Sequence, residues 1–100
     1  MMYMRGNAGD YESWAQSGLT GWNYEDVLPY FCRSECNPER SGDPYHGQDG
    51  PLMVSKARGE NPLYSDFLAA GREEGARANN DFNGFDQEGL GLYDFNTRGG

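Results

Sequence analysis

One hundred residues, 36% hydrophobic and with 15 glycines at a mean hydropathy of −0.90, allow at most one small domain with a thin core. Sixteen acidic against eight basic residues give a net charge of −8 and a pI near 4.4, which argues against nucleic-acid binding, because that needs basic residues to displace counterions. No apolar run approaches the roughly 20 residues of a membrane span, no charged-then-apolar leader opens the chain, and 14% aromatic content argues against disorder.

The chain opens on Met1-Met2-Tyr3-Met4-Arg5-Gly6-Asn7, an apolar and aromatic start with no helix cap or turn before it. Such a start suggests that something upstream is missing. Taken as residues alone, it reads as a buried edge segment with methionine as gap-filler. Asp10 to Gly18 reads as a short helix over 10–17, with Asp10 as cap, Tyr11, Trp14 and Ala15 on one side, and Gly18 at the left-handed C′ position.

After the Leu19-Thr20-Gly21 link comes the stretch with the clearest start signals, predicting a helix over 24–36. Asn23 is a good N-cap, Asp26 adds charge where the dipole favours it, and Trp22 and Val27 stand at the positions of a hydrophobic staple. Val27, Leu28, Phe31 and Cys32 form an apolar stripe, while Pro29 removes a backbone donor and should bend or delay the helix. A capped helix with a tryptophan anchor is a packing element; nothing in it is catalytic. Cys32 and Cys36, four apart on this predicted helix, have poor geometry for a mutual disulfide, so two free thiols in a cytoplasmic protein are expected.

From 37 to 50 the breakers Pro38, Gly42, Pro44, Gly47 and Gly50 predict an irregular surface loop. His46, the only histidine, admits a catalytic reading, against a loop histidine held by hydrogen bonds. A zinc site from Cys32, Cys36 and His46 matches no common ligand spacing and lacks a fourth ligand. Leu52-Met53-Val54-Ser55 reads as a brief strand. Asn61-Pro62 then starts a helix over 62–75, with Leu63, Phe67, Leu68 and Gly71 on one face. Residues 79–84 form a turn cluster in which Asn83-Gly84 suits positive φ, and 87–95 is extended with Tyr93 and Phe95 on one face. The sequence holds no catalytic triad, P-loop or dinucleotide fingerprint, and its scattered acidic residues include no confined pair.

Gly21-Trp22-Asn23-Tyr24-Glu25-Asp26-Val27-Leu28-Pro29-Tyr30-Phe31 resembles a segment of the glucose-methanol-choline (GMC) oxidoreductases, flavoenzymes that oxidise alcohols. Met1, Tyr3, Arg5, Gly6 and Asn7 resemble the family segment that follows its flavin loop. Asp10-Tyr11, Trp14-Ala15, His46-Gly47 with Gly50-Pro51-Leu52, Asn61-Pro62-Leu63, Asp81-Phe82-Asn83-Gly84 and Gln87-Glu88-Gly89 with Gly91 and Tyr93 follow in family order, covering essentially the whole chain.

The resemblance implies an α+β piece, about three helices with short strands, within a larger FAD-binding α/β enzyme. Residues 1–100 would be part of its N-terminal region, covering the flavin and starting the substrate domain. The backbone of Met1, Met2 and Tyr3 would lie beside FAD. The substrate would be a small alcohol, choline-like or aliphatic, its hydride passing to flavin. The family's catalytic histidine lies beyond this chain, so His46 is not assigned that role and no catalytic residue is expected here. Cys32, Cys36 and Ala76-Arg77-Ala78 depart from the family pattern and weaken any substrate assignment. A small acidic interaction module without cofactor is the reading from another class.

Overall fold

An asparagine side chain starts each α-helix of the described residues. Asn7 accepts from the Gly9 amide (2.8 Å), Asn23 from the Asp26 amide (2.9 Å) and Asn61 from the Leu63 amide (3.0 Å), each satisfying a first-turn donor that has no helical partner. The computed structural model describes residues 1–56 and 61–97. Its helices are α1 (Ala8–Gln16), α2 (Tyr24–Ser34) and α3 (Pro62–Glu73). Short strands β1 (Met2–Tyr3), β2 (Glu35–Cys36), β3 (Leu52–Met53), β4 (Ser55–Lys56) and β5 (Asp94–Phe95) complete the fold. The expectation of about three helices with short strands holds.

Local signals misplace some ends. The cap of α1 is Asn7 and not Asp10, which instead lies in the first turn, where its charge suits the helix dipole. Gly18 and Gly75 take φ of +99° and +88° just after α1 and α3, as a helix C-terminus requires. Pro29 neither delays nor ends α2, which runs on to Ser34. The carbonyl four residues back, on Glu25, loses its helical partner, but both positions are exposed and water can serve it.

The predicted helix over 24–36 stops two residues early for a tertiary reason. Glu35 and Cys36 turn extended and pair in parallel with Leu52 and Met53. Amides from the far side of the loop then take their carbonyls: Gly50 donates to Glu35 (2.9 Å) and Val54 to Cys36 (2.9 Å). Between 37 and 50 the chain is irregular apart from one 3₁₀ turn at Pro38–Arg40, as its breakers predict. Gly84 does not take positive φ; a Cβ there would lie 2.5 Å from an Asp81 carboxylate oxygen, so the turn needs glycine for space.

The three-stranded sheet has the order β1-β5-β4, with both contacts antiparallel. β1 is therefore an edge. Among the described residues only Val54 and Phe82 are buried hydrophobics, and Phe82 stacks on Tyr93 with ring centroids 4.8 Å apart. The buried polar residues are more numerous: Arg5, Glu35, Asn37, His46, Asn83 and Asp94. No helix buries a residue. Trp22 is 49% exposed and is no buried anchor; it meets Trp14 edge-on at 5.9 Å and shares an apolar hollow of about 530 Å3 with Val27, Tyr30 and Phe31. The radius of gyration is 15.3 Å, against about 13 Å for a compact domain of this length. No described helix is long and apolar enough to cross a membrane.

Candidate functional site

The open edge of β1 is the first part of the site. The Asn96 amide donates to the Met1 carbonyl at 2.9 Å, and Met2 lies opposite Phe95. In an antiparallel pair that makes Met2–Phe95 the non-hydrogen-bonded position, so the Met2 N–H and C=O point away from β5. Met1 is 82% and Met2 53% exposed, and Met4 is exposed too. The methionines therefore fill no gap within the described residues, contrary to the buried-edge reading. Beside this edge lies a hollow of about 290 Å3 walled by Met2, Tyr64, Phe67, Leu92, Tyr93 and Phe95.

Behind the edge sits a buried network of charges. Arg5, just past β1, donates through Nη2 to Glu35 Oε2, through Nη1 to the Tyr45 carbonyl and through Nε to the Tyr3 hydroxyl (3.2 Å). Its guanidinium also lies over the Phe31 ring, 5.2 Å from the centroid. His46 Nδ1 faces Glu35 Oε1 and Oε2 at 3.1 and 3.2 Å, and its Nε2 faces Asp81 Oδ2 at 2.9 Å. Arg40 adds a contact to Asp81 at 3.3 Å. Glu35 also accepts from the Gly47 amide (3.2 Å) and, more weakly, from Asn37 Nδ2 (3.4 Å).

With a carboxylate against each nitrogen, the His46 ring is an imidazolium donating on both sides. Burial alone would lower its pKa, but the hydrogen bonds to Asp81 and Glu35 outweigh that and raise it to about 9. Burial likewise opposes the charge of Glu35 and Asp81. The His46 hydrogen bond overcomes it in both, joined by the Arg5 charge at Glu35 and the Asn83 amide at Asp81, and holds both below the usual carboxylate range. Each carboxylate thus meets His46 and one arginine, Glu35 with Arg5 and Asp81 with Arg40.

Two glycines let this network close. A Cβ on Gly47 would lie 1.8 Å from the Cys32 carbonyl oxygen, and one on Gly50 would lie 2.2 Å from the Ser34 carbonyl carbon. The loop must press its backbone against the end of α2, and only glycine fits. That is the physical content of the His46-Gly47 and Gly50-Pro51 spacing.

Of the residues singled out in the sequence, His46 is a buried, hydrogen-bonded loop histidine, as one of its two readings held. Cys32 and Cys36 are free, and burial pushes the Cys32 thiol up, away from reactivity. The cluster whose ligand atoms lie within 4.8 Å of one another is Asp43, His46 and Asp81, without either cysteine. Both His46 nitrogens act as donors there, leaving no lone pair for a metal. Sequence reasoning missed Arg5, Glu35 and Asp81 as one unit. Arg5 and Asp81 did stand within motifs, but Glu35 carried no signal of its own.

The whole chain, residues 1–100, matches the family model described as GMC oxidoreductase. The chain belongs to the GMC oxidoreductase family. It is 45% identical over 91 residues to an oxygen-dependent choline dehydrogenase of Brucella anthropi, covering 91% of this chain and 16% of that protein. A namesake from Sinorhizobium fredii is 44% identical over 97 residues, covering 97% of this chain and 18% of that one. Among solved structures, pyridoxine 4-oxidase from Mesorbium loti superposes with a TM-score of 0.88 at 33% identity, over 99% of this chain and 20% of its own. The GMC chain described here thus spans about a sixth of the length of such curated relatives. These matches do not favour the acidic interaction module.

Proposed function

We propose that this GMC chain is part of an FAD-dependent oxidoreductase acting on the CH–OH group of a small alcohol, choline-like or aliphatic. The observation that carries the reading is the open edge of β1, in a chain 45% identical to an oxygen-dependent choline dehydrogenase. Met1, Met2 and Tyr3 fit a flavin ring: Met2 offers an unpaired N–H and C=O, and its exposed neighbours offer apolar surface to a flat aromatic. Bound FAD would supply the hydride acceptor. This chain would supply the cover over one side of the ring and the start of the substrate domain, residues 1–100 acting as one part of a larger unit.

A glycine-rich turn opening a helix, which would hold the pyrophosphate, is not in this sequence. His46 is not assigned the role of catalytic base, since both its nitrogens already face carboxylates in a buried network. A cytoplasmic location accompanies the reading, supported by the free Cys32 and Cys36.

The test adds FAD to the purified chain and, separately, to the full-length enzyme, following flavin fluorescence and alcohol oxidation. The chain alone is expected to bind no FAD at micromolar concentrations and to oxidise nothing, while the full-length enzyme does both. Cooperative stabilisation of the chain alone by FAD would overturn the reading, because it would make these residues a complete flavin module.

A further inference from the structure

We propose that His46 and Glu35, both buried behind the sheet, are positioning residues for the flavin-facing edge of β1. The inference rests on the functional reading above and adds the device that aims the edge. Met2 can meet a ring only if β1 keeps its height and tilt, and its pairing with β5 spans just two residues. Such a short pairing is weak.

Additional ties converge immediately behind it. The Arg5 amide donates to Asn83 Oδ1 (2.8 Å), Asn83 Nδ2 donates to the Tyr3 carbonyl (3.2 Å), and Gln87 Nε2 donates to the Arg5 carbonyl (3.0 Å). Asn83 is in turn fixed through its amide to Asp81 Oδ1 (3.0 Å). The Arg5 side chain ends on Glu35 and the other Asp81 oxygen ends on His46, so His46 closes a ring of contacts that starts on Tyr3 of β1 and finishes on Arg5, just past it. Four separated segments meet there: residues 3–5, 35, 46 and 81–83. Every link is a directional hydrogen bond, and a directional ring specifies position more sharply than apolar contact does. Removing His46 opens the ring yet leaves Arg5 on Glu35 and Arg40 on Asp81.

The experiment is His46→Gln in the full-length flavoenzyme, read by flavin absorption spectrum, kcat and KM, and amide exchange at Met2 with and without FAD. Positioning predicts full flavin content, a displaced absorption band and weaker FAD-dependent protection of the Met2 N–H. It also predicts a fall in kcat on the order of 10–100-fold, the usual cost of small misplacement, with KM little changed. A wild-type spectrum, kcat and Met2 protection, with only a lower melting temperature, would overturn the proposal. If His46→Gln does not retain flavin, Arg5→Lys, which keeps the charge but loses the fork onto Glu35, Tyr45 and Tyr3, is read in the same way. Absence of Met2 protection in the wild-type enzyme would instead overturn the functional reading, and this inference with it. Protection that is present in the wild type and intact in the variant would sink this inference alone.

Discussion

The junction around Glu35 and the outer face of α3 invert the usual distribution of side chains. At the junction, Arg5, Glu35 and His46 are buried, and each charge faces an opposite one. Along α3, Leu63 and Phe67 are largely exposed, with Leu63 at 69%. A charged group is buried only when its partners come with it, and here all the partners lie within these hundred residues. An apolar face needs area, and a chain of this length offers little to cover it. The difference teaches that this stretch pairs its buried charges by itself and leaves its apolar surface open.

The sharpest way to break the comparison is Glu35→Ala in the full-length enzyme, which leaves the buried Arg5 facing no carboxylate and His46 facing only Asp81. The expected cost is about 3–5 kcal/mol by denaturant melts. A loss no larger than that of a surface substitution would mean that the charges are not what holds the junction.

The pH dependence sharpens the same point. His46 is raised from 6.5 to about 9, so its stabilisation is complete below pH 6.5 and is lost as pH rises through about 9. The groups facing it are Glu35 on β2 and Asp81 and Asp43 on the loops, with Arg5 behind Glu35 and Arg40 beside Asp81. Glu35 and Asp81 have lowered values, so their contribution is present above the ordinary carboxylate range and is lost as pH falls through those values. The Tm gap between the wild type and His46→Gln should therefore be widest on the acid side of pH 6.5 and should close above pH 9. A gap unchanged across that window would show that His46 is neutral in the folded state.

Smaller effects belong to the helices. Asn23→Ala removes the hydrogen bond to the Asp26 amide and should cost about 1 kcal/mol. Trp22→Ala, half-exposed and touching Trp14 by its edge, should cost a similar amount, about 1 kcal/mol, rather than that of a buried tryptophan. Denaturant melts of both variants check this, and a loss several times larger for Trp22 would mean its hollow is filled. The smallest effect expected is that of Leu63→Ser in the purified chain, within about 0.5 kcal/mol when helical circular dichroism is followed against urea. A clear loss of helix would show that the α3 face packs against something after all.

The sequence by itself determined the helices, because a cap is a local event: Asn23 and Asn61 reach amides only two or three residues away. It also determined the irregular loop, through Pro38, Gly42 and Pro44, and the family, through the order of its motifs. It placed Glu35 on a helix, since nothing nearby says that the carbonyls of Glu35 and Cys36 are claimed by the amides of Gly50 and Val54. Only the tertiary structure decided that Arg5, Glu35, His46 and Asp81 are one object. Their separations in the chain run from 11 to 35 residues for the contacts that join them and across 76 for the whole set, beyond the reach of any periodicity. Partners so far apart become neighbours only once Gly47 and Gly50 allow the loop to press against the end of α2.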